Sequence, residues 1–245
     1  MLASLYHAHH NRHLEDLPFW LELARRQGSP ILELGCGSGR VLLPLRRAGY
    51  HVTGLERDGD MLCVLHANME PGLEGQVELI QGDMAAFELG RRFSLILMPC
   101  NTISTLSEAQ RRATLERVCR HLEPRGLFAA SLPNPALLRK LPRRSEAEVE
   151  ESFPHPLDGE PVQVSSAWER SKQSLTIHWH YDHLLPDGRV ERVSMQASHT
   201  LAPVEVYQTE MEEAGLDLVE RYGDFDLSPY SLEAPFLILL AGPRF

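Results

Sequence analysis

The 245-residue chain carries no apolar run of the ~20 residues that a bilayer-crossing helix requires, so no membrane association is expected. Its first residues, Met1-Leu2-Ala3-Ser4-Leu5-Tyr6-His7, lack the charged-then-apolar layout of a secretion signal. Cysteine is scarce. Cys36, Cys63, Cys100 and Cys119 fit neither paired-cysteine zinc spacing nor a disulfide framework, and they read as reduced thiols of a cytoplasmic protein. An excess of positive charge is also missing: 24 Lys and Arg face 34 Asp and Glu, a net charge of −10. That balance argues against a nucleic-acid partner, which needs a basic face. No internal repeat or low-complexity tract is present, and the length suits one domain with an insertion.

What is present is organised around residues 31–39, Ile-Leu-Glu-Leu-Gly-Cys-Gly-Ser-Gly. A short apolar strand runs into a turn with glycine at every second position, and Arg40-Val41-Leu42-Leu43 opens a helical pattern. Strand, glycine turn and helix form the opening unit of a nucleotide-binding α/β sheet. Glycine lets the backbone turn tightly and approach a ligand, and free amides at the helix start can hold a polar group.

Ahead of that unit, residues 2–13 are polar and rich in histidine. Leu14, Leu17, Leu21 and Ala24 then recur at helical spacing up to Gly28. Behind it, strands are expected at 50–55, 77–81, 93–98 and 126–132, with helices at 38–47, 58–69 and 107–121. Asp58 is a good N-cap, and Ser107 with Gln110 has capping-box spacing. Pro44 should kink the first of these helices. Alternation of this kind predicts a parallel sheet with helices on both faces. Residues 135–160, with Pro135, Pro142, Pro154 and Pro156, Pro161 just after them and the mixed-charge run 143–151, read as an exposed, mobile connection or lid. Antiparallel strands at 162–168, 174–185 and 189–201 follow, the last two joined by Pro186-Asp187-Gly188. A helix at 203–214 and strands at 218–222 and 236–240 close the chain. The expected division is 1–140 for the helical cover and cofactor half, 141–200 for the lid and β insertion, and 201–245 for the closing helix and strands.

The glycine turn lacks the third glycine of the dinucleotide fingerprint, where Arg40 stands, and it lacks the Gly-Lys-Ser/Thr of a phosphate loop. Glu33 just before it would repel a pyrophosphate but suits an ammonium group. Glu56, ending the second strand, can accept both hydroxyls of an unphosphorylated ribose. Asp83, in Gly82-Asp83-Met84, can accept from an exocyclic amine, and Met61 and Met84 can sandwich the ring. An acid-lined adenosine site with a cation beside the turn describes S-adenosylmethionine.

These residues, with the strand-four exit Pro99-Cys100-Asn101-Thr102, resemble the class I S-adenosylmethionine-dependent methyltransferases. The resemblance covers residues 15–135 and, in pattern only, 215–242. It implies a Rossmann-like seven-stranded α/β sheet with helices on both faces and an antiparallel β insertion. It implies cofactor contacts from Glu33, Gly35, Cys36, Gly37, Gly39, Glu56, Arg57, Met61, Gly82, Asp83, Met84 and Cys100. Within that class the chain looks most like glycine N-methyltransferase-like small-molecule enzymes, whose strand-four exit reads Gly-Asn-Ser-Phe-x-His-Leu. Here Cys100-Asn101-Thr102-Ile103-Ser104-Thr105-Leu106 lacks the aromatic and the histidine. Asn134 matches an asparagine that helps hold substrate there. Asn101, Asn134 and Tyr6 are the candidates for positioning substrate at the catalytic centre. No strong base stands out, which favours nitrogen over oxygen as the methyl acceptor. The Asp/Asn-Pro-Pro-Tyr motif of nucleic-acid amine methyltransferases is absent.

The expected partner is a small-molecule substrate, and the class allows a homodimer. Three alternatives stay open: a cofactor-binding regulatory protein without turnover, an NAD-dependent oxidoreductase on a similar sheet, and a protein methyltransferase. His7, His9, His10 and His13, and His178, His180 and His183, form two groups without a carboxylate or cysteine at fixed spacing, so no metal is expected. Trp168, Trp179 and Tyr181 read as packing residues.

Overall fold

The computed structural model describes residues 1–72 and 77–244. Two helices open the chain, α1 (Leu2–His10) and α2 (Leu17–Gln27). Alternating units follow: β1 (Ile31–Leu34), α3 (Leu42–Arg47), β2 (Val52–Glu56), α4 (Gly59–Ala67), β3 (Val77–Gln81) and β4 (Phe93–Met98). A short α5 (Thr102–Thr105), α6 (Glu108–His121), β5 (Leu122–Pro133) and α7 (Pro135–Leu138) come next. The insertion is β6 (Glu148–Pro154), β7 (Pro161–Arg170), β8 (Ser174–Leu184) and β9 (Val190–Thr200). The chain closes with α8 (Val204–Glu213), β10 (Leu216–Tyr222) and β11 (Phe236–Pro243).

The main sheet has seven strands in the order β10-β11-β5-β4-β1-β2-β3. β1 to β5 pair in parallel, and β11 runs against both of its neighbours. Successive side chains of a strand point to opposite faces, and here both faces are covered. Leu32, Leu34, Ile96 and Met98 pack with Leu115 and Val118 of α6 and Tyr207 and Met211 of α8. Ile31, Leu95 and Leu97 face the other way, onto Trp20 and Leu23 of α2 and Leu42 and Leu45 of α3. That two-sided burial is why β1 and β4 read as near-continuous apolar runs.

The caps at Asp58 and Ser107 form as read, with Asp58 accepting from the Asp60 amide and Ser107 and Gln110 capping each other. Pro44 produces no kink. The helix starts at Leu42, not at Ser38, so Pro44 falls in its first turn, where amides have no intrahelical partner to lose.

Residues 2–13 are mostly the helix α1, whose apolar side is only Ala3, Leu5 and Ala8, too few to show a period among histidines. One further expectation is corrected. The stretch read as a mobile connection contains α7 and β6, and β6 pairs antiparallel with β7. β6 is the edge of the insertion sheet, ordered β6-β7-β8-β9, and an edge strand tolerates the acids that hid its pattern. The hairpin turn at Pro186-Asp187-Gly188 is present, with Gly188 at φ 84°. Among the described residues no helix is long and apolar enough to cross a membrane.

Candidate cofactor and substrate site

β1 lies inside the main sheet, between β2 and β4, where the strand order reverses direction. Ligands of open α/β sheets bind outside the carboxyl ends of the strands at that point. The glycine turn occupies it. Gly35, Gly37 and Gly39 have φ of 70°, 52° and 89°, a region that side chains with a Cβ rarely adopt. A Cβ on Gly35 would lie 3.2 Å from Thr102 Cγ2 and 3.3 Å from Met84 Cε. A Cβ on Gly37 would meet no atom within 4 Å, so its free side faces open space beside the acids. Cys36 is different: its thiol is buried against Gly54, so only its backbone is offered to the turn.

Three carboxylates surround this space. Glu33 is 2% exposed, and its Oε2 has no hydrogen-bond partner among the described residues. Burial, opposed by Arg40 and reinforced by Asp16 and Glu56, pushes its carboxyl up to about 8. Glu56 accepts from the Gly37 amide at 3.0 Å and the Asp58 amide at 2.9 Å, tying the glycine turn to the exit of β2. The Glu56 carbonyl accepts from the Gly82 amide at 2.9 Å, linking that exit to the end of β3. Asp83 is exposed there and accepts from the Ala85 amide at 2.8 Å. Met61 and Met84 are half-buried, and Arg57 is exposed.

The exit of β4 is strained. Cys100 and Asn101 are consecutive left-handed residues, φ 58° and 63°; the conformation costs Cys100 about 1–2 kcal/mol, while asparagine tolerates it better. Such outliers gather at functional sites. The strain is held by local bonds: Thr102 Oγ1 donates to the Pro99 carbonyl at 2.8 Å and Ser104 Oγ to the Asn101 carbonyl at 2.7 Å. Arg40 reaches across from the glycine turn. Its guanidinium grips Asp16 through two bonds of 2.5 and 2.6 Å and donates to Cys100 Sγ at 2.9 Å and to the His13 carbonyl at 2.8 Å.

A cover lies over the turn. His7 of α1 is hydrogen-bonded to Ser38 Oγ at 2.9 Å. Leu5 packs with Phe153, Val162, Val164 and Tyr181 of the insertion sheet, and His9 meets the Tyr181 hydroxyl at 3.2 Å. α1 therefore bridges the glycine turn and the insertion. Tyr6 and His10 stack, with ring centroids 3.9 Å apart, and Trp179 meets His10 edge-on. Burial raises the Tyr6 hydroxyl well above the usual tyrosine range, with Cys100 and Glu56 adding to the rise and Arg40 opposing it. Burial, with His9 adding to it, pushes His10 down to about 3, so the ring is neutral at physiological pH.

Residues 31–126 match a protein family described as a methyltransferase domain. This chain is an S-adenosylmethionine-dependent methyltransferase. The enzyme is 31% identical over 134 residues to a dTDP-3-amino-3,6-dideoxy-alpha-D-glucopyranose N,N-dimethyltransferase of Streptomyces fradiae, about half of each chain (51% and 51%). A cypemycin N-terminal methyltransferase of Streptomyces sp. is 23% identical, over 87% of this chain and 82% of the relative. The fold is that of an amino pentose methyltransferase from Micromonospora echinaspora solved with S-adenosylmethionine bound. It has a TM-score of 0.73 at 21% identity, over 98% of this chain and 96% of that one.

In this methyltransferase the structure brings Glu33, Gly35, Gly37, Gly39, Glu56, Gly82, Asp83, Met84 and Cys100 to the strand exits around one space. Tyr6 and Asn101 border it. Asn134 does not. It is fully buried, caps the short α7 through the Ala136 amide, donates to the Ser231 and Ala234 carbonyls, and accepts from the Tyr230 hydroxyl. Its amide is spent inside the protein on these bonds. Sequence reasoning missed the Arg40–Asp16–Cys100 link, His7, His10 and Trp179. Arg40 was conspicuous only as the wrong residue in a glycine pattern. Its partners lie 24 and 60 positions away, beyond any local spacing.

Proposed function

We propose that the enzyme methylates the nitrogen of a small-molecule amine, of amino-sugar character, at the acid-lined space under α1. The relatives named above that act on amino sugars support the substrate class. The observation that carries the reading is the cover itself: α1, tied to the glycine turn by the His7–Ser38 bond, carries the ring cluster of Tyr6, His10 and Trp179, which brings no strong base.

The residues present fit the cofactor. Glu33 has a buried carboxylate oxygen without a partner among the described residues, the demand that an ammonium group meets. The open side of Gly37 leaves room for a ligand where a Cβ would intrude. In this reading Glu33 and the backbone of Gly35, Cys36, Gly37 and Gly39 hold the amino-acid end. Glu56 holds the ribose, and Asp83 with Met61, Gly82 and Met84 holds the adenine, Arg57 and Cys100 flanking the site. Bound there, S-adenosylmethionine supplies a methyl group already activated by its sulfonium charge.

The protein's own part is then placement and dryness. α1 excludes water, and a low-water, pre-aligned site is what in-line displacement needs. Tyr6 and Asn101 orient the acceptor. The His10 Nδ1 lies 3.2 Å from the Tyr6 carbonyl, so this nitrogen carries the proton and leaves Nε2 to accept from an amine N–H. A ring that protonates only near pH 3 is a poor base for an alcohol but a sufficient acceptor for a neutral amine.

The test is turnover with methyl-labelled S-adenosylmethionine against amino sugars and their hydroxyl isosteres, following S-adenosylhomocysteine and the labelled product. Label on nitrogen is expected. Label on oxygen with the amines untouched would overturn the reading.

A further inference from the structure

Away from the cofactor space, His155, Asp158 and His183 converge at the end of the insertion sheet. We infer that these three residues form a binding site for one divalent first-row transition ion of the zinc class. This inference is independent of the acceptor proposed above.

Both histidines are buried, 7% and 8% exposed, and Asp158 opens to solvent. The imidazoles lie nearly parallel, with centroids 4.0 Å apart and planes 16° from each other. His155 Nδ1 is 3.0 Å and His183 Nε2 is 3.2 Å from the same Asp158 Oδ1, and one ligand atom from each residue lies within 4.8 Å of the others. Donors bound to zinc at about 2.0–2.1 Å in a tetrahedron stand about 3.3–3.4 Å apart, close to these separations, and the two rings must turn out of their stack to aim both in-plane lone pairs at one ion.

The hydrogen bonding favours a cation over a self-contained trio. Asp158 Oδ1 also takes the Glu160 amide at 3.0 Å. Three nitrogens thus crowd an oxygen with two lone pairs. An ion accepts a lone pair from each imidazole and one from the carboxylate, which relieves that crowding. Each ligating nitrogen gives its proton to the ring's other nitrogen or to water, as metal binding requires. Two neutral histidines and one carboxylate leave the site at −1, a fitting host for a 2+ ion.

The frame is fixed before any ion arrives. His155 donates its amide to the Glu160 carbonyl at 2.7 Å and accepts from the Gly159 amide at 2.9 Å, so the 155–160 turn is closed on itself. His183 is held in register opposite Val162 by the β7–β8 pairing. The other histidine–acid group, His9, His13 and Glu151, differs. There the Arg12 guanidinium already occupies Glu151 at 3.0 Å and would repel an ion. Among the described groups acting on Asp158, only the Glu160 amide and the two histidines appear, with no arginine or lysine.

Three protein ligands leave a coordination position for water or an added ligand. The site stands two residues past Phe153, just beyond the end of β6, and two along β8 from Tyr181, both of which pack on Leu5 of α1. An ion there staples the 155–160 turn to β8 beside the sheet surface that carries the cover.

The experiment is titration of the metal-stripped full chain with Zn2+ against a chromophoric chelator, and with Co2+ followed by its visible absorption. One ion per chain is expected. His155→Ala and His183→Ala should lose that site, and Asp158→Asn should weaken it by about tenfold or more. His9→Ala/His13→Ala should bind as the parent does. If a histidine variant fails to fold by circular dichroism, Asp158→Asn at the exposed ligand gives the answer alone. No stoichiometric binding at micromolar Zn2+, parent-like binding by Asp158→Asn, or loss confined to His9→Ala/His13→Ala would overturn the inference.

Discussion

Glu33→Gln removes one ionisable group from the floor of the cofactor space and changes little in shape. In the ligand-free enzyme Glu33 is pushed up from 4.5 to about 8, chiefly by burial, so it is protonated at neutral pH. If it pairs with the ammonium group of S-adenosylmethionine, it must ionise when the cofactor binds. Binding then releases one proton below pH 8, and affinity rises about tenfold per pH unit. Between pH 6 and pH 7.5 that is roughly thirtyfold, within the range where an α-amino group stays protonated. Glu33→Gln should bind more weakly at pH 7.5 and show no such slope. Stability moves the opposite way. The folded state binds this proton between about 4.5 and 8, where the unfolded chain has released it, so the parent loses stability as pH rises through that window. The variant lacks this loss, and its advantage over the parent should grow from pH 5 to pH 8. Isothermal titration with S-adenosylhomocysteine at four pH values, and urea unfolding at the same values, read both effects. Equal pH slopes in parent and variant would refute the pairing of Glu33 with the ammonium group.

Other outcomes follow from named contacts. Gly37→Asn should keep the fold, since asparagine tolerates positive φ, yet abolish cofactor binding because its side chain enters the open space; tight binding by isothermal titration would count against the cradle. Glu56→Ala should weaken S-adenosylhomocysteine at least about tenfold, since each charge-assisted bond to a ribose hydroxyl contributes about 1.5–3 kcal/mol. Arg111→Ala strands Glu210, whose two oxygens each accept a 2.7 Å bond from the guanidinium inside the core, and urea unfolding should show a loss of about 3–5 kcal/mol. Asn134→Ala should cost about 1–3 kcal/mol for the buried groups it leaves unpaired, with kcat of the folded enzyme unchanged; a selective fall in kcat would return Asn134 to the substrate.

The fold was legible wherever one residue pattern had one cause. Apolar strands buried on both faces, Asp58 and Ser107 as caps, and glycines forced to positive φ all depend on neighbours in sequence. The cofactor was legible for the same reason, because Glu33 near the end of β1, Glu56 at the end of β2 and Asp83 just past β3 all stand at strand exits. The cover was not. α1 makes its contacts with Ser38 and with strands some 150–180 residues further on, and no spacing reports them. β6 hid behind its acids because an edge strand does not need an apolar face. Asn134 was ambiguous because a residue after a strand can cap a helix as readily as hold a ligand, and sequence alone does not show where its amide points.

Hydrogen exchange of the enzyme with and without S-adenosylmethionine tests the central claim most directly. The account predicts binding of one cofactor per chain with protection concentrated at the glycine turn, at the exits of β2 and β3 around Glu56 and Asp83, and along α1, while NAD protects none of these. Protection by NAD, or S-adenosylmethionine binding that leaves the glycine turn and α1 unprotected, would contradict it.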